Sequence, residues 1–470
     1  MYKVTVGLEI HAELKTATKM FCACRNDADE KAPNKNICPV CLAHPGSLPV
    51  INKEAVRKVL FVGTAVGGAL ADYTEFDRKN YFYPDIPKGY QISQYKHPLV
   101  SGGSLAGVAL TRIHLEEDTA RSQHPEGKRD ASYWAGSGDI SLVDYNRAGV
   151  PLLELVTEPV IHSAQEAGAF ARELQLLLRT LGAGEANMEK GEMRVEANIS
   201  VSKATPSESD FPSKSDSLGL GSKLGTKVEV KNLNSFRSVE RAIAYEIVRQ
   251  SELLRSGGAV AQETRGWDEI KNATYPQRKK EGSADYRYFP DPDLPSLRLN
   301  EISIFEDLKL PELPWQQRER LRGLGFLQEQ DIEQLLVDAP LAGFFNQAIG
   351  RLGSPELKKS AANYILNDVA GIRKNNPGWL PDMAVFIKAL NLPSPQAKSS
   401  IASGVLAQVI DDSALPELAR KVIDANPAVV ADYKAGKGAA LQFLIGQGMR
   451  ESKGRSNPQA LTEAIQKILA

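Results

Sequence analysis

The sequence predicts an α+β protein in which an antiparallel sheet with a cysteine-bound metal element precedes a helical region. Three observations support this prediction. Several segments before residue 232 alternate apolar and polar residues, all four cysteines lie between positions 22 and 41, and helical periodicity dominates beyond Pro295. At ~150 residues per domain, the length of 470 residues suggests about three domains.

The composition is that of an ordinary globular protein. Hydrophobic residues make up 42% and charged residues 24%, which excludes a disordered or collagen-like chain. The net charge is −1, so any contact with nucleic acid must come from local patches. The longest weakly polar run, 59–71, is much shorter than the ~20 residues of a membrane span. We expect a cytoplasmic protein without a membrane partner.

The strand predictions rest on alternation with a period of two. Residues 4–14 place apolar side chains on one face and polar side chains on the other. Segments 194–201 and 227–231 repeat this pattern. The sheet should therefore have one face on the core and a second face rich in carboxylates. In the first strand the polar face carries Glu9, His11 and Glu13.

Helices are predicted from capping and periodicity. Ser163 and Glu166 form a capping box, and Gly182 suits the C-terminal end of the helix that follows. A second helix is expected over 239–254, and a final helix after Pro458. Between these elements, the Ser-rich segment 202–223 is expected to be a flexible loop that joins two strands.

The end of the chain, over 396–470, is predicted to form a separate helical module. Between residues 431 and 470 there are six Lys or Arg and three Asp or Glu residues. The local excess of positive charge suits contact with a polyanion, and an ordinary solvated surface explains it equally well.

The four cysteines have the spacing of a metal site. Cys22-x-Cys24 and Cys38-Pro-Val-Cys41 are two close pairs separated by the segment 25–37. Four thiolates fill the tetrahedral sphere of Zn²⁺, so the metal would be structural. The alternative is a cluster of four reduced thiols, and the first pair is tighter than the usual Cys-x₂-Cys.

Two segments combine groups that bind phosphate and metal. Segment 76–95 interleaves Arg78, Lys79 and Lys88 with aromatic residues, which suits phosphate binding and base stacking. An aromatic-rich turn packed on the core would give the same pattern. Segment 285–293 repeats this mixture more weakly.

The second segment, 112–122, is rich in acidic residues. Neighbouring carboxylates repel one another unless a cation joins them, so they could form a Mg²⁺ site together with Glu9 and His11. Glu154 adds a carboxylate within an apolar strand. Salt bridges on a solvated strand are the alternative. The acidic segment contributes His114, Glu116, Glu117 and Asp118.

Long motifs across the whole chain resemble those of the B-subunit family of bacterial aspartyl/glutamyl-tRNA(Asn/Gln) amidotransferases. The resemblance implies a cradle-shaped catalytic domain over 1–295, a helical domain over 296–400 and a tRNA-binding tail over 401–470. In the order of that family, the motifs are VGLEIHAELKTATKMF, PGSLPVINKEAV, FDRKNYFYPDIPKGYQISQ, RIHLEEDTARS, SLVDYNRAGVPLLELVTEP, VEVKNLNSF, DYRYFPDPDLP and DYKAGKGAALQFLIGQGMRESKGRSNP.

The resemblance implies an activity that depends on ATP and Mg²⁺. The side-chain carboxylate of misacylated Glu-tRNA(Gln) or Asp-tRNA(Asn) is phosphorylated and then amidated by ammonia. The A subunit, a glutaminase, releases that ammonia from glutamine, and the C subunit completes the heterotrimer. The absence of a Gly-x-Ser-x-Gly nucleophile motif fits this division of labour. The sequence leaves open which misacylated tRNA is used.

The resemblance also implies the functional residues. The catalytic set, which also binds Mg²⁺, carries over onto Glu9, His11, Glu117 and Glu154, with Glu116 beside it. Because Mg²⁺ prefers oxygen ligands, His11 is expected to act through a water molecule. Lys79 and Lys88 are the candidates for contact with the phosphates of ATP.

Two features depart from the family pattern. Only some members of the family carry the four cysteines, and the segment 202–223 is longer than the usual connection. The rival hypothesis is a zinc-stapled scaffold that binds tRNA without catalysis. A scaffold does not need Glu9, His11, Glu117 and Glu154 to converge, so their positions separate the two hypotheses. A plain metal-stabilised globular protein is a second rival.

Overall fold

The computed structural model describes residues 2–123, 142–203, 224–279, 285–302, 305, 308–404, 415–452, 456 and 458–469. The chain forms two compact units, Met1–Pro314 and Trp315–Ala470. The predicted α+β class is confirmed, with strands concentrated in the first unit and helices in the second. The loop expected over 202–223 lies outside the described residues from 204 onward. The domain boundaries at 295/296 and 400/401 stay predictions.

The first unit is built around a ten-stranded sheet. In chain order, the strands of this unit are β1 (Tyr2–Glu13), β2 (Ala69–Leu70), β3 (Tyr73–Thr74), β4 (Asp77–Asn80), β5 (Tyr90–Ser93), β6 (Val100–Ser101), β7 (Ser104–Leu105), β8 (Val108–Glu117), β9 (Arg121–Gln123), β10 (Leu142–Asp144), β11 (Pro151–Thr157), β12 (Met193–Lys203), β13 (Val228–Leu233), β14 (Glu263–Asp268), β15 (Ala273–Lys279), β16 (Phe289–Pro290) and β17 (Leu297–Arg298).

The strands of the large sheet follow the order β15-β14-β13-β12-β1-β11-β8-β6-β2, and β7 pairs with β8 beside this path. Antiparallel pairing extends through the centre, where β1 lies between β11 and β12. One pair departs from the predicted antiparallel arrangement, since β13 and β14 are parallel. A parallel pair needs a long crossover connection, which a helix supplies here.

Strand β1 lies in the middle of the sheet, and one of its faces is wholly apolar. Val6, Leu8, Ile10 and Ala12 are buried, as the alternation predicts. Three helices accompany the sheet: α1 (Lys53–Ala65), α2 (Ala164–Thr180) and α3 (Phe236–Arg255). Helix α3 is the crossover between β13 and β14, and it packs against β12, β13 and α2. The second predicted helix is thereby confirmed, although it begins at Phe236 rather than at Val239.

Helix α2 begins where the sequence places it. The hydroxyl of Ser163 accepts a hydrogen bond from the backbone N–H of Glu166, and the Glu166 carboxylate accepts one from the N–H of His162. Loss of such a cap costs about 1 kcal/mol. Gly182 follows the helix with φ +61°, a conformation that glycine adopts without strain.

The second unit is helical throughout its described residues. Its helices are α4 (Pro314–Arg322), α5 (Glu329–Val337), α6 (Ala339–Arg351), α7 (Pro355–Asn363), α8 (Ala370–Arg373), α9 (Met383–Ala389), α10 (Ser394–Ser403), α11 (Leu415–Ala425), α12 (Pro427–Lys434), α13 (Gly438–Glu451) and α14 (Pro458–Leu469). A π-helical segment, Tyr364–Val369, joins α7 to α8. No helix among the described residues is long and apolar enough to cross a lipid bilayer.

The last four helices share a small core of their own. Helix α14 confirms the predicted final helix, and Leu461 and Ile465 are its fully buried residues. They pack with Leu415, Ala419, Val422 and Leu444 from α11 and α13. A separate terminal module stays a prediction, since these helices belong to the compact unit Trp315–Ala470.

Candidate functional site

A cluster of carboxylate and imidazole groups forms where three neighbouring strands align. His11 of β1 is the direct partner of Glu154 of β11, and Glu154 is the direct partner of His114 of β8. Directly opposed residues project from the same face of a sheet, so the three side chains meet. Glu116 follows His114 by two positions and therefore joins the same face.

The distances within this cluster are short. Oε2 of Glu154 lies 3.4 Å from Nε2 of His11 and 3.3 Å from Nε2 of His114. Nε2 of His11 also lies 3.4 Å from Oε1 of Glu116. Two triads result, and the ligand atoms of each lie within 4.8 Å of one another. The triads are Glu9–His11–Glu154 and His114–Glu116–Glu154, and Glu154 belongs to both.

Burial and mutual contacts shift the pKa values of these groups. Burial alone would lower the pKa of His11, but its hydrogen bonds with Glu116 and Glu154 raise this pKa well above the ordinary value. Burial works to raise the pKa of Glu154, and the charges of His114 and His11 outweigh it, so this pKa is lowered. Burial and the nearby Glu154 carboxylate raise the pKa of Glu9.

The cluster fits a hard divalent cation. Mg²⁺ prefers oxygen ligands, and Glu9, Glu116 and Glu154 bring three carboxylates to triads whose ligand atoms lie within 4.8 Å of one another. Within the described residues, the Glu9 carboxylate has neither a hydrogen-bond partner nor an ion-pair partner, although its side chain is half-buried. A half-buried carboxylate without a partner is costly, and a bound cation would remove that cost.

Lys79 supplies positive charge beside this cluster. Its Nζ lies 5.1 Å from the ring centre of Tyr286 and 5.9 Å from that of Tyr81. Burial alone would lower the pKa of Lys79. The negative charge of Glu116 and the effects of nearby groups raise this pKa by a larger amount, so the net shift is upward. Lys79 is therefore a permanent cation at the edge of the cluster.

The structure separates Glu117 from the cluster. Glu117 is adjacent in sequence to Glu116, so the pleat of β8 turns their side chains to opposite faces. Oε1 of Glu117 lies 2.6 Å from Nζ of Lys88 and accepts a hydrogen bond from the N–H of Ile92 at 2.9 Å. The structure thus brings Glu9, His11, Glu116 and Glu154 together and places Glu117 with Lys88. The catalytic role of Glu117 stays a prediction.

A cleft adjoins the Lys88–Glu117 pair. The loop that carries the second cysteine pair forms one wall, and strands β4 and β5 contribute to the other. Arg78 lines this cleft, and its guanidinium binds Asp291 at 2.9 Å and Asp293 at 2.8 Å. The Arg78 guanidinium is thus paired with Asp291 and Asp293, whereas the Lys88 ammonium is paired with Glu117.

The four cysteines form a compact cluster of free thiols. Sγ of Cys41 lies 3.5 Å from Sγ of Cys22, 3.7 Å from that of Cys38 and 3.8 Å from that of Cys24. Zn–S bonds of about 2.3 Å in a tetrahedron place the sulfur atoms about 3.8 Å apart. The cluster therefore has the dimensions of a zinc site. The hydrogen bond with Cys22, together with the charge of Lys19, lowers the pKa of Cys41 to about 4.

His114 joins the cluster, as its place in the acidic segment 112–122 led us to expect, although the ligand set implied by the resemblance omits it. Sequence reasoning missed Glu196 and Lys231 as neighbours of the site. Glu196 faces Glu9 across the β1–β12 pair, and its carboxylate binds Nζ of Lys231 at 2.8 Å. Glu196 and Lys231 each lie on a polar face that the alternation in 194–201 and 227–231 predicts, so the sequence indicates which face of the sheet they occupy. The sequence does not show the strand register that brings these two residues next to Glu9.

Comparisons with known proteins match the whole chain. A family model described as the GatB/GatE catalytic domain matches residues 4–304, and one described as the GatB domain matches 384–469. The B subunit of the aspartyl/glutamyl-tRNA(Asn/Gln) amidotransferase of Thermus thermophilus is 41% identical, with 100% of this chain and 99% of the relative covered. The proteins of the same name from Dehalococcoides mccartyi and Herpetosiphon aurantiacus are 39% and 40% identical, with at least 98% of each chain covered.

Proposed function

This chain belongs to the GatB/GatE family, and from that membership we propose that it is the activating subunit of a tRNA-dependent amidotransferase. It converts misacylated Glu-tRNA(Gln), Asp-tRNA(Asn) or both into Gln-tRNA(Gln) and Asn-tRNA(Asn). It works in the cytoplasm as a heterotrimer with a glutaminase, the A subunit, and with the C subunit. The names of its relatives, which are subunits of such enzymes, support this proposal.

The proposed reaction has two group-transfer steps. An oxygen of the substrate's side-chain carboxylate attacks the γ-phosphorus of ATP, ADP leaves and an acyl phosphate forms. Ammonia that the glutaminase releases from glutamine then attacks the acyl carbon. Inorganic phosphate leaves, and the side chain becomes an amide.

The observation that carries this proposal is the convergence of four side chains on one sheet face. Glu9, His11 and Glu154 have ligand atoms within 4.8 Å of one another, and Glu116 lies 3.4 Å from His11. Mg²⁺ bound there would neutralise charge on the transferred phosphoryl group and align ATP with the carboxylate. Lys79 holds a positive charge beside the cluster, where an anionic phosphate or carboxylate can bind.

Lys88 and Glu117 form a second part of the proposal, at the end of β8, where both line the adjoining cleft. We assign phosphate contact to Lys88, and the Glu117 carboxylate holds its ammonium in place at 2.6 Å. Because the pair is mostly buried, its geometry is fixed before a ligand binds. The charge of Lys88 would act on ATP, whereas Glu117 would act by positioning Lys88.

Two further parts have supporting roles. Cys22, Cys24, Cys38 and Cys41 hold structural Zn²⁺, since four thiolates leave no open position for a substrate. The tail module binds tRNA through exposed cations on its helices and loops. These cations are Lys434, Arg450 and Lys467.

The alternative is a zinc-stapled scaffold that binds tRNA without catalysis. Such a scaffold gains nothing from holding the half-buried Glu9 carboxylate near Glu154, since among the described residues Glu9 has no hydrogen-bond or ion-pair partner and an uncompensated carboxylate lowers stability. The same argument weighs against a plain metal-stabilised globular protein. The convergence on one face therefore favours the enzyme.

The experiment combines this chain with the purified A and C subunits, Mg²⁺-ATP, glutamine and Glu-tRNA(Gln) or Asp-tRNA(Asn). We expect amidated tRNA only when this chain is present, and ADP only when misacylated tRNA is added. Replacing glutamine with an ammonium salt should bypass the glutaminase and leave amidation dependent on this chain. If neither tRNA yields product or ADP, the scaffold hypothesis replaces the enzyme.

A further inference from the structure

Lys19 is a fully buried cation beside the cysteine cluster. Its side chain is 0% exposed. Its Nζ donates hydrogen bonds to the carbonyl oxygens of Asn36 at 2.7 Å and Tyr145 at 3.1 Å. The same Nζ lies 3.6 Å from Sγ of Cys41. Burying an ammonium is costly unless an anion accompanies it, and no carboxylate forms an ion pair with Lys19 among the described residues.

The cysteine cluster supplies the missing negative charge. Four thiolates and one Zn²⁺ carry a net charge of −2, and the Cys41 sulfur is within hydrogen-bonding range of the Lys19 ammonium. Groups that hydrogen-bond to metal ligands fix their orientation and change metal affinity. We propose that Lys19 is the positioning residue of the cysteine metal centre, where its ammonium compensates the thiolate charge and retains Zn²⁺.

Lys19 also connects the metal loop to the catalytic sheet. Asn36 lies between the two cysteine pairs, whereas Tyr145 lies in the turn that precedes β11. Backbone hydrogen bonds reinforce the link, from the N–H of Met20 to the carbonyl of Gly149 at 2.7 Å and from the N–H of Lys19 to the carbonyl of Cys24 at 3.0 Å. One ammonium therefore joins the metal loop to the segment that leads into the strand of Glu154.

The inference rests on the proposed zinc site, and its test measures zinc rather than amidation. The full chain is loaded with Zn²⁺, and its affinity is measured by competition with a chromophoric chelator. We expect Lys19→Met to weaken zinc binding about 10- to 100-fold and to speed zinc release. Lys19→Gln, which can still donate a hydrogen bond but has no charge, should also lose zinc.

Lys58→Met is the matched control. The Lys58 ammonium donates to the carbonyl of Gly182 at 2.6 Å, and its side chain is only 13% exposed. Its loss removes a comparable ammonium–carbonyl bond without touching a cysteine. We expect the zinc affinity of Lys58→Met to equal that of the unsubstituted chain, which separates charge compensation from general destabilisation.

The outcomes distinguish the two proposals. If the unsubstituted chain binds zinc and both Lys19 variants bind it equally well, the inference about Lys19 is overturned and the zinc site stands. If the unsubstituted chain binds no zinc, both are overturned, and the amidation proposal is unaffected. Should Lys19→Met fail to fold, as judged by circular dichroism, Lys19→Gln alone decides between these outcomes.

Discussion

Oε2 of Glu154 lies 3.4 Å from Nε2 of His11, and the two residues are direct cross-strand partners in the antiparallel pair of β11 and β1. Their separation is set by the register of a central sheet rather than by a loop. Groups on such rigid elements keep their geometry before the substrate arrives. The cluster around Glu154 is therefore the part of the molecule where small chemical changes should have the largest functional effect.

Glu154→Gln should reduce ATP-dependent amidation at least about 100-fold. The amide keeps the shape of the side chain but removes the charge that both triads share. Formation of ADP and of amidated tRNA measures the loss, and tRNA affinity should change less than about twofold. Glu240→Gln is the control, since Glu240 binds Arg172 between α2 and α3. Unchanged amidation by Glu154→Gln would contradict the metal assignment.

Glu116→Gln and Glu117→Gln should give different kinetic signatures. Glu116 lies in the cluster, so its substitution should raise the Mg²⁺ concentration for half-maximal rate about tenfold. Glu117 binds Lys88, so its substitution should instead raise KM for ATP. Titrations of Mg²⁺ and ATP against ADP formation measure both effects. The opposite pattern would assign Glu117, rather than Glu116, to the metal site.

Cys38→Ser should lower the melting temperature more than it lowers the amidation rate. A closed thiolate site contributes to folding free energy and has no open position for a substrate. Thermal unfolding with and without a zinc chelator measures this, and the chelator should no longer affect the variant. Lys31→Ala, at an exposed position between the two cysteine pairs, should behave like the unsubstituted chain. A large loss of rate at unchanged melting temperature would point to a catalytic metal.

Glu13→Gln should stabilise the protein at pH 8 and have little effect at pH 4.5. Burial, assisted by the Asp118 charge, raises the pKa of Glu13 to about 7 from its ordinary value of 4.5. Between these values the folded state binds more protons than the unfolded state, so Glu13 makes stability fall as pH rises through this window.

The full effect above pH 7 is at most about 3 kcal/mol. Urea unfolding at the two pH values measures it. Glu185→Gln is the control: pairing with Lys15 lowers the pKa of this carboxyl, so its substitution should not stabilise the protein at pH 8. Equal effects of Glu13→Gln at both pH values would show that the raised pKa of Glu13 does not contribute to the free energy of unfolding.

Replacing Lys434 and Lys467 with alanine should weaken tRNA binding and flatten its salt dependence. Both side chains are exposed in the tail module. Each lost phosphate contact reduces the slope of log K against log salt by roughly 0.7 to 0.9. Lys421→Ala is the control, since the Lys421 ammonium pairs with Glu451. An unchanged slope would remove these two lysines from the tRNA interface.

The strands and helices were predictable wherever one face is uniformly apolar. Residues 4–14 and 194–201 alternate strictly, and the structure forms strands Tyr2–Glu13 and Met193–Lys203 there. The capping box at Ser163 likewise located the start of a helix to the residue. These signals are local, so they act before any long-range contact is known.

The register between strands was not predictable. In the run His-Leu-Glu-Glu-Asp, two adjacent glutamates must point to opposite faces, and the sequence does not show which one joins His11. Pairing of His114 with Glu154 decides it, through a contact between two strands that are distant in the sequence. The parallel pairing of β13 with β14 was missed for the same reason, since it depends on the path of helix α3.

The central position of β1 has a consequence for synthesis on the ribosome. The strand is made well before its two neighbours in the sheet, Pro151–Thr157 and Met193–Lys203. At roughly 5–20 residues per second, the nascent β1 waits about 10–40 s for its second neighbour. During that interval the apolar face of Leu8 and Ile10 is available to chaperones and to neighbouring nascent chains. Translation speed therefore sets the earliest time at which β1, the strand of His11, can be paired on both of its edges.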